Sequence, residues 1–108
     1  MTEHLLIESG GPSAGQGCER FVEDALHLAR SGRSTSLFLV DNAVTAAVRG
    51  AMPVLDRFVG EGGELMVDSV AVRQRALEPG DFVAAARIVE MDDVASMILA
   101  ADTRVVWH

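Results

Sequence analysis

The chain of 108 residues has no lysine, one cysteine, three prolines and three histidines. A single cysteine cannot build an internal disulfide framework, and the scattered His4, His27 and His108 add too little for a transition-metal site, so no metal and no cofactor are expected. No apolar run approaches the roughly 18 residues needed to span a bilayer. The opening MTEHLLIESGG lacks a basic n-region and places Glu8 directly after its apolar run, which argues against a signal peptide. A reducing, cytoplasmic setting is the expectation. Basic residues are also scarce: nine against sixteen acidic ones give a net charge of -7. Such a field repels phosphate backbones and anionic bilayers, so neither nucleic acid nor membrane is expected as a partner.

What the chain does have is apolar content, 49% of its residues, spread evenly with no linker or low-complexity run. This is the composition of one domain over residues 1–108 with a single core. The positive mean hydropathy of so small and acidic a chain suggests more apolar surface than one core hides, and therefore self-association, with helix faces near Val44–Phe58 as the expected contact.

The periodicity alternates between two kinds. His4–Glu8 reads as a buried strand, followed by a glycine-containing loop, Ser9–Gly17. Cys18, Phe21, Val22, Ala25, Leu26 and Ala29 then recur with helical spacing. Ser34–Val40 is a second strand whose apolar end does not alternate, as in a parallel strand covered on both faces. Asp41 or Asn42 is expected to cap a helix bearing Val44, Ala47 and Val48, with a further apolar face at Val54, Leu55, Phe58 and Val59. Leu65-Met66-Val67 is a third strand, Val70–Leu77 a short helix, and Phe82–Val89 a helical turn leading into a fourth strand. An acidic helix start at Asp92 and a closing strand at Arg104–Trp107 complete the pattern. Strands alternating with helices at this spacing predict a three-layer α/β/α fold on a mainly parallel sheet of about five strands.

Several constellations carry chemistry. Gly10 and Gly15 match the first six positions of a P-loop, but the match fails at Gln16-Gly17, where the motif needs Lys and Ser or Thr. A tight turn is the main expectation for Gly10, Gly11, Gly15 and Gly17, with a small-anion or nucleotide-binding enzyme as one alternative. Cys18 opens a helix, where backbone N–H groups lower a thiol's pKa, yet it lies on an apolar stripe with Glu8 and Glu19 near in sequence. A buried structural role is favoured over a reactive one. Glu8, Asp41, Asp68, Glu90 and Asp92 lie near strand exits, where carboxylates gather to bind ligands or, as expected for Asp41 and Asp92, cap the next helix; Ser69 follows Asp68, and Arg73, four residues on, shares its helix side. Arg75 is expected to face solvent or a neighbouring subunit. No serine sits in a G-x-S-x-G elbow, so a hydrolase is unsupported.

Taken in order, four segments resemble the DsrE/DsrF-like family, including the TusD-type sulfur-relay subunits. They are HLLIESGGPSAGQGCERFVEDALHLARSG, STSLFLVDNAVTAAVRG, VDSVAVRQRAL and the closing DFVAAARIVEMDDVASMILAADTRVVWH. The resemblance implies an α/β/α fold, a cytoplasmic location, trimeric or hexameric assembly, a sulfur-relay protein partner, and persulfide transfer from a cysteine after the third strand. At that position this chain has Ser69, and a serine carries no persulfide. The chain is therefore expected to be a non-catalytic or sulfur-transfer-deficient relative in which Ser69→Cys would restore acceptance, with a sulfur carrier using Cys18 as the alternative.

Overall fold

The computed structural model describes residues 2–100 and 102–108. Five strands, β1 (His4–Glu8), β2 (Thr35–Leu39), β3 (Glu64–Asp68), β4 (Arg87–Val89) and β5 (Arg104–Trp107), form one all-parallel sheet in the order β4-β3-β2-β1-β5. Four helices, α1 (Gly17–Arg30), α2 (Pro53–Gly60), α3 (Ser69–Gln74) and α4 (Met91–Ile98), connect them.

Strand order dictates where the helices lie. From β1 to β4 each step moves the same way across the sheet, so right-handed crossovers place α1, α2 and α3 on one face. The step from β4 to β5 runs back the other way and places α4 on the opposite face. Strand side chains alternate accordingly. Leu6, Leu37, Leu39, Leu65 and Val67 pack with Phe21, Val22, Leu55, Phe58 and Val72 on the first face. Leu5, Ile7, Phe38, Val40, Met66 and Val89 pack with Val94 of α4 on the second. Apolar side chains at both parities are what make these strands read as continuous apolar runs.

Two local expectations are corrected. Residues 41–47 form a 3₁₀ helix, whose three residues per turn align Ala43 with Ala46 and Val44 with Ala47, all four buried. Neither Asp41 nor Asn42 caps it: Asp41 has a left-handed φ of 50°, and the Asn42 Oδ1 accepts from Arg75 instead. After Phe82, which bridges Val48 antiparallel, the chain makes the expected turn at residues 84–85, with the Ala86 N–H donating to Val83 O at 3.0 Å, and enters β4. At α4 the cap residue is Glu90, whose N–H donates to Asp93 Oδ2 at 3.3 Å, and Asp92 sits in the first turn. The apolar residues Val44, Val54, Leu55 and Phe58, expected at a subunit contact, are consumed by the chain's own core. No helix among the described residues is long and apolar enough to cross a membrane.

Candidate functional site at the strand exits

In a parallel sheet every strand delivers its carboxyl end to the same edge, and here that edge gathers Glu8, Asp41, Asp68, Glu90 and His108. The loops leaving two neighbouring strands diverge only between β3, which feeds α3 on one face, and β4, which feeds α4 on the other. Such a switch point opens a crevice outside the strand ends. Asp68, Ser69 and Glu90 stand there.

Each is held by local chemistry. Asp68 is the N-cap of α3, its Oδ2 accepting the Ala71 N–H at 3.2 Å, while its buried Oδ1 has no hydrogen-bond partner among the described residues. Ser69 begins α3, is 4% exposed, and donates its hydroxyl to Glu90 Oε2 at 2.8 Å. Glu90 reaches Ser69 because β3 and β4 are paired, with Asp68 opposite Val89. The crevice therefore concentrates carboxylates around a hydroxyl. Arg73 lies exposed with no ion pair to either acid, and Arg75 turns to the Ala71 carbonyl at 3.1 Å and Asn42 Oδ1 at 2.6 Å instead of facing solvent alone.

The glycine-containing loop belongs to a second cluster, between β1 and β5. Glu8 is 1% exposed; its Oε1 accepts the Gly10 N–H at 3.2 Å and its Oε2 pairs with His108 Nδ1 at 2.5 Å. The His108 ring stacks on Phe21 with centroids 5.1 Å apart. Gly17 lies under the same ring, where a Cβ would come within 3.1 Å of His108 Cε1. Gly11 is buried against β2's exit, so close that a Cβ would lie 2.7 Å from Asn42 O. Gly15, with φ +116°, turns the chain toward α1. The loop thus directs one N–H onto a carboxylate and packs two glycines against neighbours, leaving the anion expectation facing a buried negative charge.

Cys18 borders this second cluster and is 3% exposed. Burial first, then the charges of Glu8 and Glu19, raise its thiol from 9.0 to about 11. The folded state therefore keeps a proton that the unfolded chain releases. This contribution to stability is complete below about pH 9 and is lost as the pH rises through about 11. With no lysine and no tyrosine, Cys18 is the one side chain expected to titrate in that window. Urea denaturation should show stability falling by about 1 to 2 kcal/mol between those pH values, and Cys18→Ala should flatten that fall.

Two grooves lie away from the crevice. One of about 390 Å³ is lined by Thr2, Glu64, Ser96, Met97, Ala100 and Thr103 near the amino ends of the strands. Another of about 260 Å³ is lined by Gln16, Glu19, Arg20 and Glu23 of α1 and its approach. Among the described residues no group of three His, Cys, Asp or Glu side chains could hold a metal ion. Sequence reasoning placed Asp68, Ser69 and Glu90 near strand exits but did not pair Glu90 with Ser69, or His108 with Glu8. Glu90's position after the fourth strand was the available signal, and strand order, the missing piece, is a tertiary property.

No family model and no curated protein matches the chain by sequence. Solved structures do match. The ychN protein from E. coli superposes with a TM-score of 0.88 over 100% of both chains at 19% identity. MTH1491, a protein of unknown function from Methanobacterium thermoautotrophicum, superposes with a TM-score of 0.73 over 97% of this chain and 96% of its own at 12% identity. At these identities the likeness is one of fold: the chain shares the fold of the ychN protein.

Proposed function

We propose that the chain is a small cytoplasmic DsrE-like protein that serves sulfur metabolism without itself carrying sulfur, working as a homo-oligomer that engages a sulfur-relay protein. The observation that carries this is the identity of the residue at the switch-point crevice. On the sequence resemblance, Ser69 corresponds to the accepting cysteine of relay members, and its hydroxyl is committed to Glu90. A hydroxyl forms no persulfide. The chain's single thiol, Cys18, is buried and held protonated at neutral pH, which suppresses the thiolate that sulfur exchange requires. Neither groove reaches Ser69, and Glu90 beside it is exposed at the surface, which favours a protein partner over an enclosed small substrate.

Intact-protein mass spectrometry after treatment with a persulfide donor tests the proposal. The folded wild type should gain no sulfur atom. A gain mapped to Cys18 would replace the proposal with the carrier alternative.

A further inference from the structure

On the α4 side the sheet changes character along its length. Toward the carboxyl ends of the strands it is apolar, with Ile7, Phe38, Val40, Met66 and Val89 packed around Val94. Toward the amino ends the same face continues with Ser36, Glu64 and Arg87, each two residues before an apolar member of that set. These polar residues sit close together, because Ser36 is in register with Glu64 and Met66 with Arg87. The groove of about 390 Å³ lined by Thr2, Glu64, Ser96, Met97, Ala100 and Thr103 borders this polar stretch.

Hydrogen bonding decides what the groove can accept. An ionised carboxylate only accepts, and a hydroxyl has a single proton to give. Ser36, 2% exposed, gives its proton to Glu64 Oε1 at 3.0 Å, so Thr2 Oγ1 is the donor in its 2.9 Å contact with Ser36 Oγ. Thr103 Oγ1 donates to Thr2 O at 2.9 Å, and Ser96 Oγ to Asp92 O at 3.3 Å. All three lining hydroxyls thus spend their protons on the protein, and the described lining side chains offer a ligand lone pairs alone. Arg87 Nη1 donates to Glu64 Oε2 at 2.8 Å but does not line the groove. A carboxylate has about four lone-pair sites, so Glu64 retains room for a further donor. The carboxyl end of α4, the negative end of its dipole, lies at the same groove.

We propose that this groove binds a small organic ammonium ion, its N–H groups meeting Glu64 and the hydroxyl oxygens and its hydrocarbon body lying along Met97 and Ala100. An ammonium brings three donors and no acceptor, the complement of side chains that bring acceptors and no donor. An alcohol would set its own oxygen against other acceptors, and an anion would face a carboxylate. The volume lies within the range of small-molecule pockets, and a mostly fixed set of polar groups beside an apolar wall is their usual make-up. The groove is at the opposite edge of the sheet from Ser69 and stands independently of the role proposed there.

Benzylammonium, benzyl alcohol and benzoate share one ring and differ in the head group. Each is titrated at near-neutral pH and physiological salt into isotope-labelled protein, with amide NMR shifts as the readout. Benzylammonium should move the amides of Glu64, Ser96, Met97 and Thr103 along one saturable curve. Benzyl alcohol should bind about tenfold or more weakly, because it forgoes charged hydrogen bonds, and benzoate should leave these amides in place. Glu64→Gln should erase the preference for the ammonium over the alcohol. Should that variant fail to fold, Arg87→Ala at its exposed position frees the carboxylate from an ion pair and should tighten benzylammonium binding a few-fold. The site would be overturned by an absence of saturable shifts, by equal binding of the three ligands, or by shifts scattered over the acidic surface. A preference for the ammonium that survives Glu64→Gln, or binding no tighter in Arg87→Ala, would overturn it as well.

Discussion

Ser69→Cys should remain a poor sulfur acceptor at neutral pH, and Ser69→Cys combined with Glu90→Gln should accept readily. The simplest expectation from sequence was that restoring the thiol restores the activity. The structure changes that expectation, because the Ser69 hydroxyl donates to Glu90 Oε2 at 2.8 Å and Asp68 is the preceding residue. A thiol in the same place would lose its proton in a buried position between two carboxylates, Asp68 buried and Glu90 exposed. Both desolvation and like charge raise a thiol's pKa above its free value of about 8.5, and each unit costs about tenfold in thiolate at pH 7. Replacing Glu90 by glutamine removes one charge and keeps an acceptor for the α3 start. The pair of variants should therefore differ by roughly tenfold or more in labelling by a thiol reagent at pH 7, converging toward pH 10. Equal rates for the two at neutral pH would mean that Glu90 does not control this position.

His108→Ala should lower stability by about 2 to 3 kcal/mol and expose Cys18. Glu8 is a carboxylate 1% exposed, and one of its two oxygens depends on the His108 ring. Removing a hydrogen-bond partner from a buried charged group costs more than removing one from a neutral pair. The same ring stacks on Phe21 and covers Gly17, so its loss thins the cover at the start of α1. Chemical denaturation reads the first effect, and the rate of Cys18 alkylation in the native protein reads the second. His108→Gln, which retains a donor, should recover part of the stability. If His108→Ala matches the wild type in both measurements, the Glu8 pairing carries no weight in the folded state.

The crevice chemistry bears on the proposed role. A relay cysteine needs neighbours that favour its thiolate, whereas Ser69 is surrounded by groups that oppose one.

Local signals in the chain were enough to define most elements. The stripe from Cys18 to Ala29 is α1 because its period is helical and Ser31-Gly32 ends it, with the Ser31 hydroxyl donating to Leu28 O at 2.7 Å. Unalternated apolar runs marked β2 and β3 as strands covered on both faces, and Asp68 was recognisable as a cap. The burial of Cys18 was legible for the same reason as α1 itself. The failures fall where two distant segments compete for one backbone. Residues 41–47 tighten into a 3₁₀ helix against Gly11.

Residue order by itself determined the alternation of strand and helix, the all-apolar character of the central strands, the lone thiol and the serine after β3, because each depends on contacts only a few residues apart. Only the tertiary structure decided which strands are neighbours. That one fact puts α4 alone on its face and brings Glu90 to Ser69. It also brings His108 to Glu8 and leaves β5 with an open edge. Pairings across 21 and 100 residues are set by which strand arrangement buries both faces with right-handed connections, and no local pattern encodes that choice.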